Sequence, residues 1–279
     1  MRENPIGFFD SGVGGLSVLK YALEVMPEEN YIYYGDSFNA PYGTKTKEQV
    51  FKLANDAVNG LLEKNVKAIV VACNTATSIA VDELRKTTTV PIISMEPAIK
   101  PALEKTSGKV LLLATNVTLA SERVNKLIEK YDLENRVIKL PCPELAKKIE
   151  EAVFKNNNID DYLVELLSPL KNENVTAVVL GCTHYPFIKD KIIDALDKNV
   201  KVFDGIDGTV AHLKEILIEN NIKNQNVSKG TVQLESSLKE QNTIELYNKL
   251  LNGGILWDVC FADAWIAAYL IPDQLKKVA

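Results

Sequence analysis

The stretch NVKAIVVACNTATSI, residues 65–79, carries an apolar run, AIVVA (68–72), that ends on Cys73 and turns polar at once at Asn74 and Thr75. Strands buried on both faces are continuous in Val, Ile and Leu, whereas strands with one wet face alternate. The segment therefore predicts an inner strand of a parallel sheet that ends in a polar loop. A second copy follows: NVTAVVLGCTHYPFI, residues 174–188, aligns without gaps and shares Asn, Val, Ala, Val, Cys and Ile. Cys73 and Cys182 stand 109 residues apart, a separation suited to a duplicated α/β unit. Buried strands draw on few residue types and can look alike by chance. The shared cysteine and its polar followers weigh against chance here.

The rest of the chain alternates in the same way. IGFFD (6–10), NYIYYGD (30–36), AIVV (68–71), PIIS (91–94), KVLLLAT (109–115), RVIKL (136–140), AVVLG (177–181) and VKVFD (200–204) read as strands. Between them, Leu16, Leu19, Leu23 and Met26 recur at helical spacing, as do Val50, Leu53, Ala54, Ala57, Leu61 and Leu62. Strands alternating with helices define the α/β class. In open sheets of this class ligands bind beyond the carboxyl ends of the strands. The residues there are Asp10-Ser11, Gly35-Asp36-Ser37, Cys73-Asn74-Thr75, Thr115-Asn116 and Cys182-Thr183-His184.

Bulk composition narrows the function. The 279 residues are 46% hydrophobic and 25% charged, with a net charge of −5 and lysines interspersed with acids. No basic stripe suggests nucleic acid, and no apolar run suggests a membrane span. An acidic chain does not steer a small anion by its overall field, so an anionic substrate must be recognised locally. The start, MRENPIGFFDSG, lacks the pattern of a secretory signal, so a cytoplasmic location with reduced thiols is expected. The four cysteines contain no CxxC pair.

A thiol ionises near pH 8.5 and is lowered by a helix N-terminus or a cation. Two thiols on opposite sides of a carbon-bound hydrogen can invert that carbon: one thiolate removes the proton and the opposite thiol returns one to the other face. Asp10 and His184 are candidate tuning groups, although an Asp at a strand end also serves as an N-cap and a lone His often has a structural role. Backbone N–H groups and side chains at Ser11, Asn74, Thr75 and Thr183 suit a carboxylate. DSGVGGLS is a tight glycine turn entering a helix, and it lacks the Gly-Lys-Ser/Thr ending of a phosphate loop. Pro41-Tyr42-Gly43 reads as a turn, with Tyr42 a candidate lid. Zinc held by Cys73, Cys182 and His184 is the competing chemistry, disfavoured by the lack of a close-spaced ligand pair beyond Cys-x-His. Cys142 and Cys260 read as apolar filler, and His212 as a helix-surface residue.

With DSGVGG, GDSFNAPYG, ACNTAT and GCTHYP in order, the chain resembles the glutamate racemases of the aspartate/glutamate racemase family from about residue 4 to 220. The aspartate-specific relatives typically carry an acidic residue where His184 stands, so His184 favours glutamate. The resemblance implies cofactor-independent interconversion of L- and D-glutamate, with D-glutamate supplied to peptidoglycan synthesis. It implies Cys73 and Cys182 as the two bases, Asp10 and His184 as their assistants, and Asp10, Ser11, Tyr42, Gly43, Asn74, Thr75, Thr183 and His184 as substrate contacts. Glu150 lies where the family often has another carboxylate, but Lys147 and Lys148 replace the apolar residues usual before it. Two pseudosymmetric α/β domains with mainly parallel sheets are expected, 1–96 with 208–279 and then 97–207, with the active-site cleft between them. No cofactor or metal is implied, and a homodimer is expected. Beyond residue 225 the chain departs from the pattern, and the apolar segment GGILWDVCFADAWIAAYLIP could pack on the first domain or bury a subunit interface. The alternatives are a racemase of aspartate or another acidic amino acid, or a catalytically silent amino-acid-binding or regulatory protein.

Overall fold

The computed structural model describes residues 1–155, 158–170, 172–196, 198–240 and 242–252. Cys260 and the apolar segment from residue 253 lie outside the described residues. The first half holds β1 (Ile6–Asp10), α1 (Leu16–Val25), β2 (Tyr31–Gly35), α2 (Lys47–Leu62), β3 (Ala68–Val71), α3 (Asn74–Thr87) and β4 (Ile92–Ser94). Then come α4 (Ile99–Lys105), β5 (Lys109–Ala114), α5 (Asn116–Leu119), α6 (Glu122–Tyr131), β6 (Val137–Pro141), α7 (Leu145–Lys155) and α8 (Asp160–Leu167). The chain continues with β7 (Val175–Gly181), α9 (Lys189–Leu196), β8 (Lys201–Phe203), α10 (Ile206–Glu219), β9 (Val232–Ser236) and α11 (Thr243–Leu251).

Two sheets of parallel strands result, ordered β4-β3-β1-β2-β9 and β6-β5-β7-β8. Counted within its own half, each sheet has its second, first, third and fourth strands side by side, so β1 answers to β5 and β3 to β7. The repeat noted in the sequence therefore occupies equivalent strands. Even its leading asparagine is equivalent: Asn65 and Asn174 have φ of 57° and 52°. This is the left-handed region, which a short polar side chain tolerates.

In both sheets the strand order reverses between the first and third strands, and there the following loops diverge and leave a crevice. The loops at those positions follow Asp10, Val71, Ala114 and Gly181. All five residues of β1 and all four of β3 are buried, as expected of strands covered on both faces. Each large side chain so buried, such as Phe8 or Val70, contributes about 1.5–3 kcal/mol. One contiguous core joins Phe8 and Val70 of the first sheet to Leu111 and Val178 of the second.

Thr46 caps α2 through a reciprocal capping box with Gln49. β9, which the sequence pattern does not reveal, extends the first sheet beyond β2. His212 sits on the exposed side of α10, 3.6 Å from Glu215. Among the described residues no helix is long and apolar enough to cross a membrane.

Candidate active site

Cys73 follows β3 and is the N-cap of α3, where its sulfur accepts the Ala76 N–H at 3.5 Å. Its thiol lies 3.4 Å from the Ser11 hydroxyl, to which it donates. Burial pushes the thiol up to about 12, and the neighbouring Asp10 adds to the rise, while the Ser11 and Ala76 contacts oppose it. Asp10, at the end of β1, is fully buried. Its carboxylate accepts the Gly12 N–H at 2.9 Å and the Thr183 hydroxyl at 3.1 Å. Burial raises this carboxyl above its ordinary value, against the lowering effects of His184, Gly12 and Thr183.

The Thr183 contact crosses from one half to the other. The glycine turn after β1 permits it: a Cβ on Gly14 would lie 2.3 Å from the Thr183 hydroxyl oxygen. Only a residue without that atom fits.

Cys182 follows β7 and is half-buried, its sulfur 3.9 Å from His184 Nδ1. On the far side of the ring, His184 Nε2–H donates to Glu150 at 2.8 Å. Burial opposes charge on the imidazole, yet the contacts with Cys182 and Glu150 prevail and hold His184 well above its ordinary value. Because Glu150 fixes the Nε2 proton, Nδ1 faces the thiol and can take or give a proton there.

Both thiols line one cavity of about 190 Å³, with Ser11, Tyr42, Gly43, Asn74, Thr75, Thr183 and His184 also in its wall. Every cavity residue that the sequence singled out is thus brought together, and Asp10 lies directly behind it. Tyr42 does not form a lid. Its ring is buried against Phe9 and its hydroxyl donates to Asp36 at 2.6 Å, so it is a fixed wall. Asn74 is buried, and neither its amide nitrogen nor its oxygen has a hydrogen-bond partner. Buried amides are nearly always paired, so this one is set for a polar ligand.

Sequence inspection missed a hydroxyl triangle. Thr75 lies 3.1 Å from Thr115 and 3.2 Å from Thr118, which are 3.0 Å from each other, so the loops after β3 and β5 are tied across the cleft. Thr115 is among the strand-end residues marked in the sequence; Thr118 had no comparable signal. Among the described residues no cluster of three His, Cys, Asp or Glu side chains could hold a metal ion. Cys142 is buried apart from the cavity wall, its thiol facing the Leu140 carbonyl at 3.4 Å, and burial pushes it up to about 12.

Two thiols thus stand at equivalent strand ends on one cavity, one beside Ser11 and the other beside His184. Residues 17–215 match the model of the Asp/Glu/hydantoin racemase family, and the chain belongs to that family. It is 46% identical over 253 residues to a glutamate racemase of Clostridium perfringens, covering 90% of this chain and 97% of the relative. Among solved structures it is similar to the glutamate racemase of Francisella tularensis in complex with D-glutamate, with a TM-score of 0.79 and 31% identity over 91% of this chain and 96% of that one. It is also similar to the Escherichia coli glutamate racemase in complex with L-glutamate and the activator UDP-MurNAc-Ala. There the TM-score is 0.77 at 29% identity, over 88% of this chain and 94% of that one.

Proposed function

We propose that this chain interconverts L- and D-glutamate by a cofactor-independent, two-thiol 1,1-proton transfer. The observation that carries the proposal is the pair of cysteines at equivalent strand ends on one cavity, one beside Ser11 and Asp10, the other beside His184 and Glu150. In one direction a thiolate breaks the Cα–H bond and becomes a thiol, while the opposite thiol gives its proton to the other face of the carbon. The reverse reaction exchanges the roles.

Each neighbour has a use in this scheme. An α-ammonium beside Asp10 and Cys73 adds a cation next to both groups, favouring the carboxylate and easing ionisation of the thiol. The unpaired Asn74 amide, the Thr75 hydroxyl and the N-terminus of α3 suit the α-carboxylate, whose negative charge grows as the carbanion forms. The His184–Glu150 pair lets Cys182 exchange its proton without a free charge in the wall.

The names of the relatives support glutamate as substrate. The proposal extends to a cytoplasmic homodimer feeding peptidoglycan synthesis, built of lobes 1–96 with 208–279 and 97–207. In deuterated water, L-glutamate should yield D-glutamate labelled at the α-carbon. Label with aspartate alone would overturn the substrate, and label with neither would overturn racemisation. Cys73→Ser and Cys182→Ser should each lower kcat/KM by about 10²- to 10⁴-fold, whereas Cys142→Ser should retain it.

A further inference from the structure

We infer that Lys147 is a substrate-steering residue, whose ammonium at the lip of the thiol cavity attracts an amino acid with a negatively charged side chain. The inference rests on the proposed glutamate chemistry. Lys147 lines the cavity and, among the described residues, is the one lysine or arginine that does so. It lies one helical turn before Glu150 on α7, so both share the face of that helix turned toward the cavity. Its neighbour Lys148 is engaged elsewhere, its ammonium 4.8 Å from the centre of the Tyr162 ring. Lys147 is exposed, and among the described residues no ion pair holds its ammonium.

The charge balance gives this placement a purpose. Glutamate carries two carboxylates and one ammonium, while the chain carries a net charge of −5 and the wall's His184 is already paired with Glu150. Asp10 suits the ammonium, and Asn74 with the start of α3 suits one carboxylate. The second carboxylate meets an acidic molecule whose cavity wall, among the described residues, has no arginine. A cation on a long stem at the water boundary attracts that anion over several ångströms, a long-range effect that salt screens. The side-chain carboxylate keeps its charge while the α-carbon reacts, so the attraction of Lys147 acts equally on bound substrate and transition state. Such uniform binding appears in KM and not in kcat.

Lys147→Met keeps the aliphatic stem and removes the charge. With glutamate it should raise KM by about 3- to 10-fold, leave kcat within about twofold and flatten the fall of kcat/KM with added salt. Lys147→Glu should raise KM further, and Lys148→Met should behave as wild type. Wild-type KM and an unchanged salt slope in Lys147→Met, with wild-type turnover of glutamate intact, would overturn the inference alone. A wild-type protein that does not turn over glutamate would overturn the substrate assignment and this inference with it.

Discussion

Asp10 and Cys73 are polar groups held where ionisation is costly, and both costs have a direction in pH. Asp10 has a folded pKa raised above 3.8, so the native state binds its proton more tightly than the unfolded chain. Stability from this group is intact at low pH and declines as pH rises from the unfolded value through the folded one. Asp10→Asn keeps an acceptor for Gly12, so it should unfold at a higher temperature than wild type at pH 7, with no gain near pH 3, while losing racemisation. Each 1 kcal/mol recovered should raise Tm by about 2–4 °C in scanning calorimetry. Cys73, raised from 9.0 to about 12, behaves alike at the alkaline end: wild-type stability should fall across that interval, and Cys73→Ser should remove this part of the fall. These residues were legible in the sequence because each interrupts an apolar strand with a polar or reactive group. Thr118 was not, because a threonine in a short helical turn carries no mark of what lies opposite.

At the scale of elements, α7 converts an ordinary amphipathic segment into part of the site. LAKKIEE reads as a helix with a solvated charged face, and nothing within it tells that Glu150 meets His184 from another strand's loop. Only the family resemblance pointed to Glu150. Glu150→Gln keeps an oxygen for the Nε2 proton but removes the charge that favours imidazolium, and should lower kcat by roughly 10-fold or more. His184 contributes stability that is whole below its unfolded pKa near 6.5 and is lost as pH rises through its higher folded value. The difference in Tm between wild type and Glu150→Gln should therefore be largest near pH 6 and shrink in alkaline buffer. A second support was equally hidden. Tyr33 donates to the Gly12 carbonyl at 2.7 Å, and Tyr247 of α11 packs edge-on against its ring at 5.6 Å. The strand that precedes α11, β9, alternates polar residues as VQLES at a sheet edge, and so lacks the continuous apolar run that revealed the other strands.

For the whole molecule, the repeat and the fold class were written in the cysteine strands, whereas the closeness of the two passages between sheets depends on long-range packing. The chain leaves the first sheet after β4 and returns to it after β8, and Gly205 lies against the first passage, where an added Cβ would be 2.4 Å from the Glu96 carbonyl oxygen. Arg123 of α6 binds Asp82 of α3 at 2.7 Å and also pairs with Glu96, bracing the same junction. Gly205→Ala should shift one passage against the other and cost about 1–3 kcal/mol in denaturant unfolding, with a fall in kcat/KM as the thiols lose register. Gly60→Ala, on α2 with open space around it, should gain about 0.5–1 kcal/mol and keep activity.

The two thiols have unlike company: a hydroxyl and a buried carboxylate on one side, an imidazole and a glutamate on the other. Mirror-image amino acids have identical free energies, so the equilibrium between them is even, and detailed balance gives both enantiomers the same kcat/KM in every buffer. The lopsided surroundings therefore cannot favour one direction of catalysis. They can only divide the same efficiency differently, so that whichever enantiomer has the lower KM must also have the lower kcat, by the same factor.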